Sequence, residues 1–162
     1  REFTGATSGR ERFEALKPLF KEAEWFTGVS WKIHAGQWAL ESAWGRATPK
    51  DINTGKESWN FFGYKGNSPG PAGTVDAWTW EEVNGKMVRV VQPFRAYSNV
   101  AESIQDHTRL LNTAYYAPVR DCGKDVECAA NMLGPDGVGY ATDSAYPEKL
   151  LDQIHVIESW GE

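Results

Sequence analysis

The chain has 162 residues, 41% hydrophobic and 24% charged, with a formal net charge of −5. That length suits one domain able to bury its own core without metals or many disulfides. No apolar run nears the roughly 18 residues of a membrane helix, and the acidic balance excludes a general nucleic-acid binder, which is usually basic. The N-terminus, Arg1 to Gly5, has no apolar stretch of the kind a secretory leader needs, and it begins without Met, as expected of a domain excised from a longer protein. Eight Trp, six Tyr and seven Phe are many for so small a chain. Indoles are large and rarely fully buried, so they form either a Trp-rich core or a groove of flat apolar faces suited to sugars.

Ser8 and Glu11 have the spacing of a capping box. Phe13, Leu16, Phe20 and Ala23 follow at helical spacing up to Gly28, with Pro18 predicted to kink or restart the helix. Ser30 caps a second helix to about Gly45, with Trp31, His34, Ala35, Trp38, Glu41 and Gly45 along one stripe. Residues 46–74 hold five Gly and three Pro and read as a long ordered loop; such loops in compact domains are often functional. Residues 74–83 and 86–94 flank Asn84-Gly85, a strong hairpin signal. Asn99 and Glu102 open a helix to about Asn112, with Ile104, His107 and Leu111 on one face. Residues 125–133 form a short helix stopped by Gly134. Pro147 suits the first turn of a last helix, with Leu150, Leu151, Ile154 and Ile157 facing inward. The fold class is α+β, mostly helical with one β-hairpin, in a single domain over 1–162. Cys122 and Cys128 either form a local disulfide or stay as buried thiols; with the three scattered His they make no metal site, and no cofactor is expected.

Two acids stand out. On a helix, Glu41 has Gln37 and Trp38 behind it and Trp44 and Gly45 ahead. A carboxyl so placed either reaches solvent or is partly desolvated; desolvation raises its pKa and suits it to act as a general acid. In the hairpin, the two-residue turn sets Glu81 opposite Val88 and Trp80 opposite Arg89. Alternation puts Glu81 with Thr79, Val83, Val88 and Val90, and Glu82 with Trp78, Trp80, Met87 and Arg89. Trp80 and Arg89 are expected to stack. Two carboxyls on separate elements with many aromatics suggest glycoside hydrolysis.

The motifs then resemble a known family. Ala39 to Gly45 and Asn60 to Gly66 are similar to glycoside hydrolase family 73, the endo-β-N-acetylglucosaminidases of bacterial cell-wall turnover. Thr79 to Gly85 resembles its Thr-x-Glu-Tyr-x-Asn-Gly hairpin, and Phe94-Arg95-Ala96-Tyr97 its Phe-Arg-x-Tyr segment. Tyr140-Ala141-Thr142-Asp143 with Tyr146 resembles its Tyr-Ala-Thr-Asp-Pro-x-Tyr stretch. Glu82 and Ser144 depart from the family pattern, which commonly has Tyr and Pro there.

The resemblance implies a lysozyme-like fold, with a small β-hairpin lobe flanking an active-site cleft. It implies Glu41 as general acid, Glu81 as second carboxylate and Tyr140 as active-site tyrosine, and peptidoglycan glycan strands as substrate. Gln37, Asn60, Phe62, Tyr64, Trp80 and Tyr146 are expected to bind sugar. Localisation is expected at the cell wall or periplasm, or in a phage particle or lysin. Other domains or phage tail subunits are the expected protein partners; neither nucleic acid nor membrane is. The rival readings are a lytic transglycosylase or muramidase on the same polymer, and a non-catalytic wall-binding or tail module.

Overall fold

The computed structural model describes residues 8–162. The helices are α1 (Gly9–Thr27), α2 (Trp31–Ser42), α3 (Val100–Leu111), α4 (Ala117–Arg120), α5 (Val126–Leu133) and α6 (Tyr146–Ser159); the strands β1 (Thr74–Val83) and β2 (Lys86–Arg95) form one antiparallel hairpin.

Ser8 starts α1 as a capping box: its hydroxyl accepts from the Glu11 amide at 3.1 Å, and the Glu11 carboxylate accepts from the Ser8 amide at 2.9 Å. Pro18 neither ends nor restarts the helix, which is assigned unbroken from Gly9 to Thr27. Its buried stripe, Phe13, Leu16, Phe20 and Ala23, is the one read from the spacing.

The single stripe expected of α2 is corrected. Every residue from Ile33 to Ala39 is buried, because α1 packs on one side and α5 and α6 on another. A helix buried all round carries little periodic signal. Gly36 allows the closest approach: a Cβ there would lie 2.8 Å from Ile154 and 3.0 Å from Leu150 on α6. Two core clusters therefore meet across α2. One holds Phe13, Phe20, Trp38, Phe61, Phe62 and Ile104; the other holds Ile33, Leu111, Leu133, Tyr146, Leu150 and Ile154.

The hairpin has the expected register, with Glu81 opposite Val88 and Trp80 opposite Arg89. Asn84 and Gly85 adopt φ of 53° and 79°, the left-handed pair a two-residue turn requires. Its base is anchored by Val75, Ala77 and Phe94; its tip stands in solvent. The Trp80–Arg89 stack is corrected: the Arg89 guanidinium lies 4.8 Å from the ring centroid of Trp78, the diagonal neighbour. The 3-10 turn at Ala114–Tyr116 and the short α4 were not read from the sequence, being too brief to show a period. Cys122 and Cys128 form a disulfide between the end of α4 and α5.

The tryptophans resolve mostly toward packing. Trp38 is fully buried; Trp31, Trp44, Trp59 and Trp160 pack part-buried on the first cluster; Trp25, Trp78 and Trp80 are exposed.

Candidate active site

Glu41 occupies the last full turn of α2. The chain then leaves the helix through three successive left-handed residues, Ala43, Trp44 and Gly45, with φ of 50°, 60° and 84°. For Ala and Trp this costs on the order of 1 kcal/mol each, so the exit must be held by contacts. Ser42 donates to the Trp38 carbonyl at 2.6 Å and accepts from the Gly45 amide at 2.8 Å. The Trp44 indole donates to Gln153 on α6 at 2.8 Å, and Arg12 on α1 donates to the Trp44 carbonyl at 2.7 Å. The Glu-Ser-Ala-Trp-Gly run is thus a clamp that fixes the helix end beside the acid.

Glu41 opens into a cavity of about 360 Å³ lined also by Phe62, Gly63, Tyr64, Leu110, Tyr116, Tyr140 and Ala141, within the usual range for ligand sites. Although Glu41 is exposed, the protein around its carboxyl raises its pKa through desolvation; a hydrogen bond with Tyr146 opposes this. Burial likewise raises the pKa values of Tyr64, Tyr140 and Tyr146, so their hydroxyls stay protonated and remain donors. The Tyr140 hydroxyl donates to that of Tyr64 at 3.1 Å.

A buried chain of hydrogen bonds stands behind the acid. His107 Nε2 and Gln37 Oε1 are 2.7 Å apart, and Gln37 Nε2 donates to the Tyr146 hydroxyl at 2.9 Å. An amide that donates to Tyr146 must present its oxygen to His107, so the imidazole proton sits on Nε2. Burial holds the His107 pKa well below its ordinary value, which keeps the ring neutral. With its oxygen receiving from Gln37, the Tyr146 hydroxyl directs its proton at Glu41. The ring of His107 also stacks on Phe62 at 4.1 Å between centroids.

The expected site residues divide accordingly. Glu41, Phe62, Tyr64 and Tyr140 meet in the cavity. Gln37, Asn60 and Tyr146 are buried and are not among the cavity's lining residues. Asn60 shows why: its amide donates to the carbonyls of Tyr64 at 2.9 Å and Arg95 at 3.0 Å, while its oxygen accepts from the Tyr64 amide at 3.1 Å. That fork folds the loop carrying Tyr64 onto β2. Trp80, expected to bind sugar, is 61% exposed on the hairpin face opposite Glu81 and is not among the cavity's lining residues. Glu81 is not among the cavity's lining residues; its carboxylate pairs with Lys65 at 3.5 Å. Trp38 and Trp44, on either side of Glu41 in the chain, pack in and against the core, and tyrosines wall the cavity. Sequence reasoning missed Tyr116, which lines the cavity from a 3-10 turn, and the role of His107, whose only signal was its place on the buried face of α3. Among the described residues no group of three or more His, Cys, Asp or Glu could hold a metal ion. Among the described residues no helix is long and apolar enough to cross a membrane.

A mostly helical domain with a hairpin lobe, and one carboxyl group in a tyrosine-walled cavity, defines a lysozyme-like glycoside hydrolase domain. Residues 17–159 match the Glucosaminidase family, described as mannosyl-glycoprotein endo-beta-N-acetylglucosaminidase, and the chain belongs to this family, glycoside hydrolase family 73. It is 36% identical to the peptidoglycan hydrolase FlgJ of Escherichia coli K12 over 136 residues, covering 82% of this chain and 42% of that protein. The chain thus spans less than half the length of that relative. The glycoside hydrolase domain of Salmonella typhimurium FlgJ superposes with a TM-score of 0.75 at 30% identity, covering 94% of this chain and 99% of that one. A mutant peptidoglycan hydrolase from Sphingomonas sp. A1 gives a TM-score of 0.74 at 33% identity, covering 88% and 90%.

Proposed function

We propose that the domain hydrolyses the β-1,4 bond between N-acetylglucosamine and N-acetylmuramic acid in peptidoglycan, outside the cytoplasmic membrane. The observation that carries the reading is the Glu41 carboxyl, which lines a tyrosine-walled cavity and whose pKa is raised by desolvation. Two relatives whose names include peptidoglycan hydrolase support the polymer as substrate.

Glu41 gives its proton to the glycosidic oxygen as the bond from that oxygen to C1 breaks. Glu41 is the one carboxylate among the cavity's lining residues, which favours attack on C1 by the substrate's own N-acetyl oxygen, a known exception to the two-carboxylate scheme. The Tyr140 hydroxyl, donating to Tyr64, keeps an oxygen lone pair for the acetamido N–H. Water then adds to C1, returns one proton to Glu41 and regenerates the N-acetyl group, with retention at C1. Glu81, outside the cavity lining and paired with Lys65, adds negative charge near the developing cation once the hairpin adjusts to a bound strand.

Mass spectrometry of digested peptidoglycan tests the bond. Soluble fragments ending in reducing N-acetylglucosamine are expected. Fragments ending in 1,6-anhydro-muramic acid would instead establish a lytic transglycosylase, and wall binding without sugar release a non-catalytic module. NMR of the first-formed anomer tests the second step: inversion would make Glu81 the base for water.

A further inference from the structure

A second, polar cavity of about 260 Å³ adjoins the first, and Tyr64 and Leu110 line both. Its other lining residues are Lys65, Asn67, Arg95, Asp106 and Arg109. Three cations gathered on a chain of net charge −5 call for an account.

Asp106 organises them. Its Oδ2 accepts from Arg95 Nη1 at 2.7 Å and from the Tyr97 hydroxyl at 2.5 Å, and its Oδ1 accepts from Arg109 Nε at 3.0 Å and also from Arg109 Nη2. Burial pushes the Asp106 pKa up, but the bonds from Tyr97, Arg109 and Arg95 together outweigh it and hold the carboxyl ionised. One carboxylate therefore fixes two guanidinium groups and neutralises only one. Among the described residues, no hydrogen bond is made by Arg109 Nη1 or Arg95 Nη2. Lys65 sits at the same cavity, shared with Glu81 at 3.5 Å. Counting these five groups, Lys65, Arg95 and Arg109 against Asp106 and Glu81, the cluster keeps one positive charge in excess. Planar guanidinium groups with free N–H donors suit carboxylates, which they bind in fixed geometry.

We propose that this cavity is a subsite for a carboxylate carried by the muramyl residue next to the scissile bond, with Arg109 and Arg95 as its ligands. It rests on the peptidoglycan reading above and deepens it. N-acetylglucosamine has no carboxylate, whereas a muramyl residue carries one on its lactyl ether, or further out on its stem peptide when the lactyl carboxyl is amide-linked. A groove that runs from the acid to an anion site therefore reads which sugar lies beyond the bond. It also answers the long-range repulsion between an acidic domain and an anionic wall with a local attraction at the cleft.

The test compares Arg109→Gln with the wild type on three glycans: strands bearing stem peptides, stripped strands with free lactyl carboxylates, and stripped strands whose lactyl groups are capped as amides. Arg109 is exposed, so the variant should fold, and the capped strand serves as an internal control for general damage. The expected result is a KM about five- to tenfold higher on a carboxylate-bearing strand, in line with loss of one charge-assisted hydrogen bond, with KM on the capped strand unchanged. An effect on free lactyl strands identifies the lactyl carboxylate; an effect on peptide-bearing strands alone identifies the stem. Equal effects on all three glycans, or none on any, would overturn the subsite while leaving the hydrolase reading intact. A wild type that cleaves none of them would overturn both.

Discussion

Glu41 and Glu81 have opposite supports. Glu41 ends a helix packed on several sides, with a strained clamp after it and a buried His107–Gln37–Tyr146 chain behind it. Glu81 stands on a two-stranded ribbon whose core contacts are confined to its base, with Lys65 as its ion-pair partner. A lone hairpin is marginal in water, and an ion pair this exposed contributes little. The difference teaches where each property comes from. The acid's strength is set by fixed surroundings, whereas the second carboxylate is placed by register alone and is free to adjust to a bound strand.

The largest expected effect is at the rigid end. Glu41→Gln should lower kcat on peptidoglycan by about a thousandfold or more, the scale of a lost general acid, with the fold unchanged by circular dichroism. The same variant should be more stable than the wild type at neutral pH. The folded-state pKa of Glu41 is raised above its ordinary 4.5, so its favourable contribution to stability is complete below 4.5 and is lost as pH rises through the raised value. Thermal melts across pH should show the gain from Gln vanishing in acid. Near-normal activity in Glu41→Gln would remove the basis of the comparison.

Glu81→Gln should cost about ten- to hundredfold in kcat, below the loss at Glu41, because it removes charge but no proton donor. Next in size, Asn60→Ala should destabilise by about 2 kcal/mol, since it takes the side-chain partner from the Arg95 carbonyl and the Tyr64 amide, while the Tyr64 carbonyl keeps the Arg95 N–H. Differential scanning calorimetry checks this, and activity should fall with it as the Tyr64 loop loosens. Glu82→Gln, on the outer face with Trp80 and Met87, should change kcat less than about twofold. Exchange of the Glu81 and Glu82 results would mean that the strand works in the opposite register.

Much of this was legible in the sequence, for identifiable reasons. The capping box at Ser8, the Asn84-Gly85 turn and the hairpin register follow from local rules, and the structure has them as read. Glu41, Phe62, Tyr64 and Tyr140 came from motif order and do converge in one cavity. What could not be read is what depends on packing between distant segments. The all-round burial of α2 hides its periodicity. The amides of Gln37 and Asn60 are held by partners 109 and 35 residues away, which no local pattern shows. The tryptophan count pointed to the cleft, yet the tyrosines line it. Tyrosine there supplies a flat face and a hydroxyl, whereas most of the indoles serve the core.

The pH dependence of kcat/KM, measured for the wild type and Tyr146→Phe, tests the central claim most directly. The hydrogen bond from Tyr146 lowers the Glu41 pKa against the larger raising effect of burial, and the alkaline limb of kcat/KM reports the free enzyme's acid. The account predicts a wild-type limb above the ordinary glutamate value of 4.5 and a further upward displacement in Tyr146→Phe. A limb at the ordinary value, or one that does not move when the hydroxyl is removed, would contradict it.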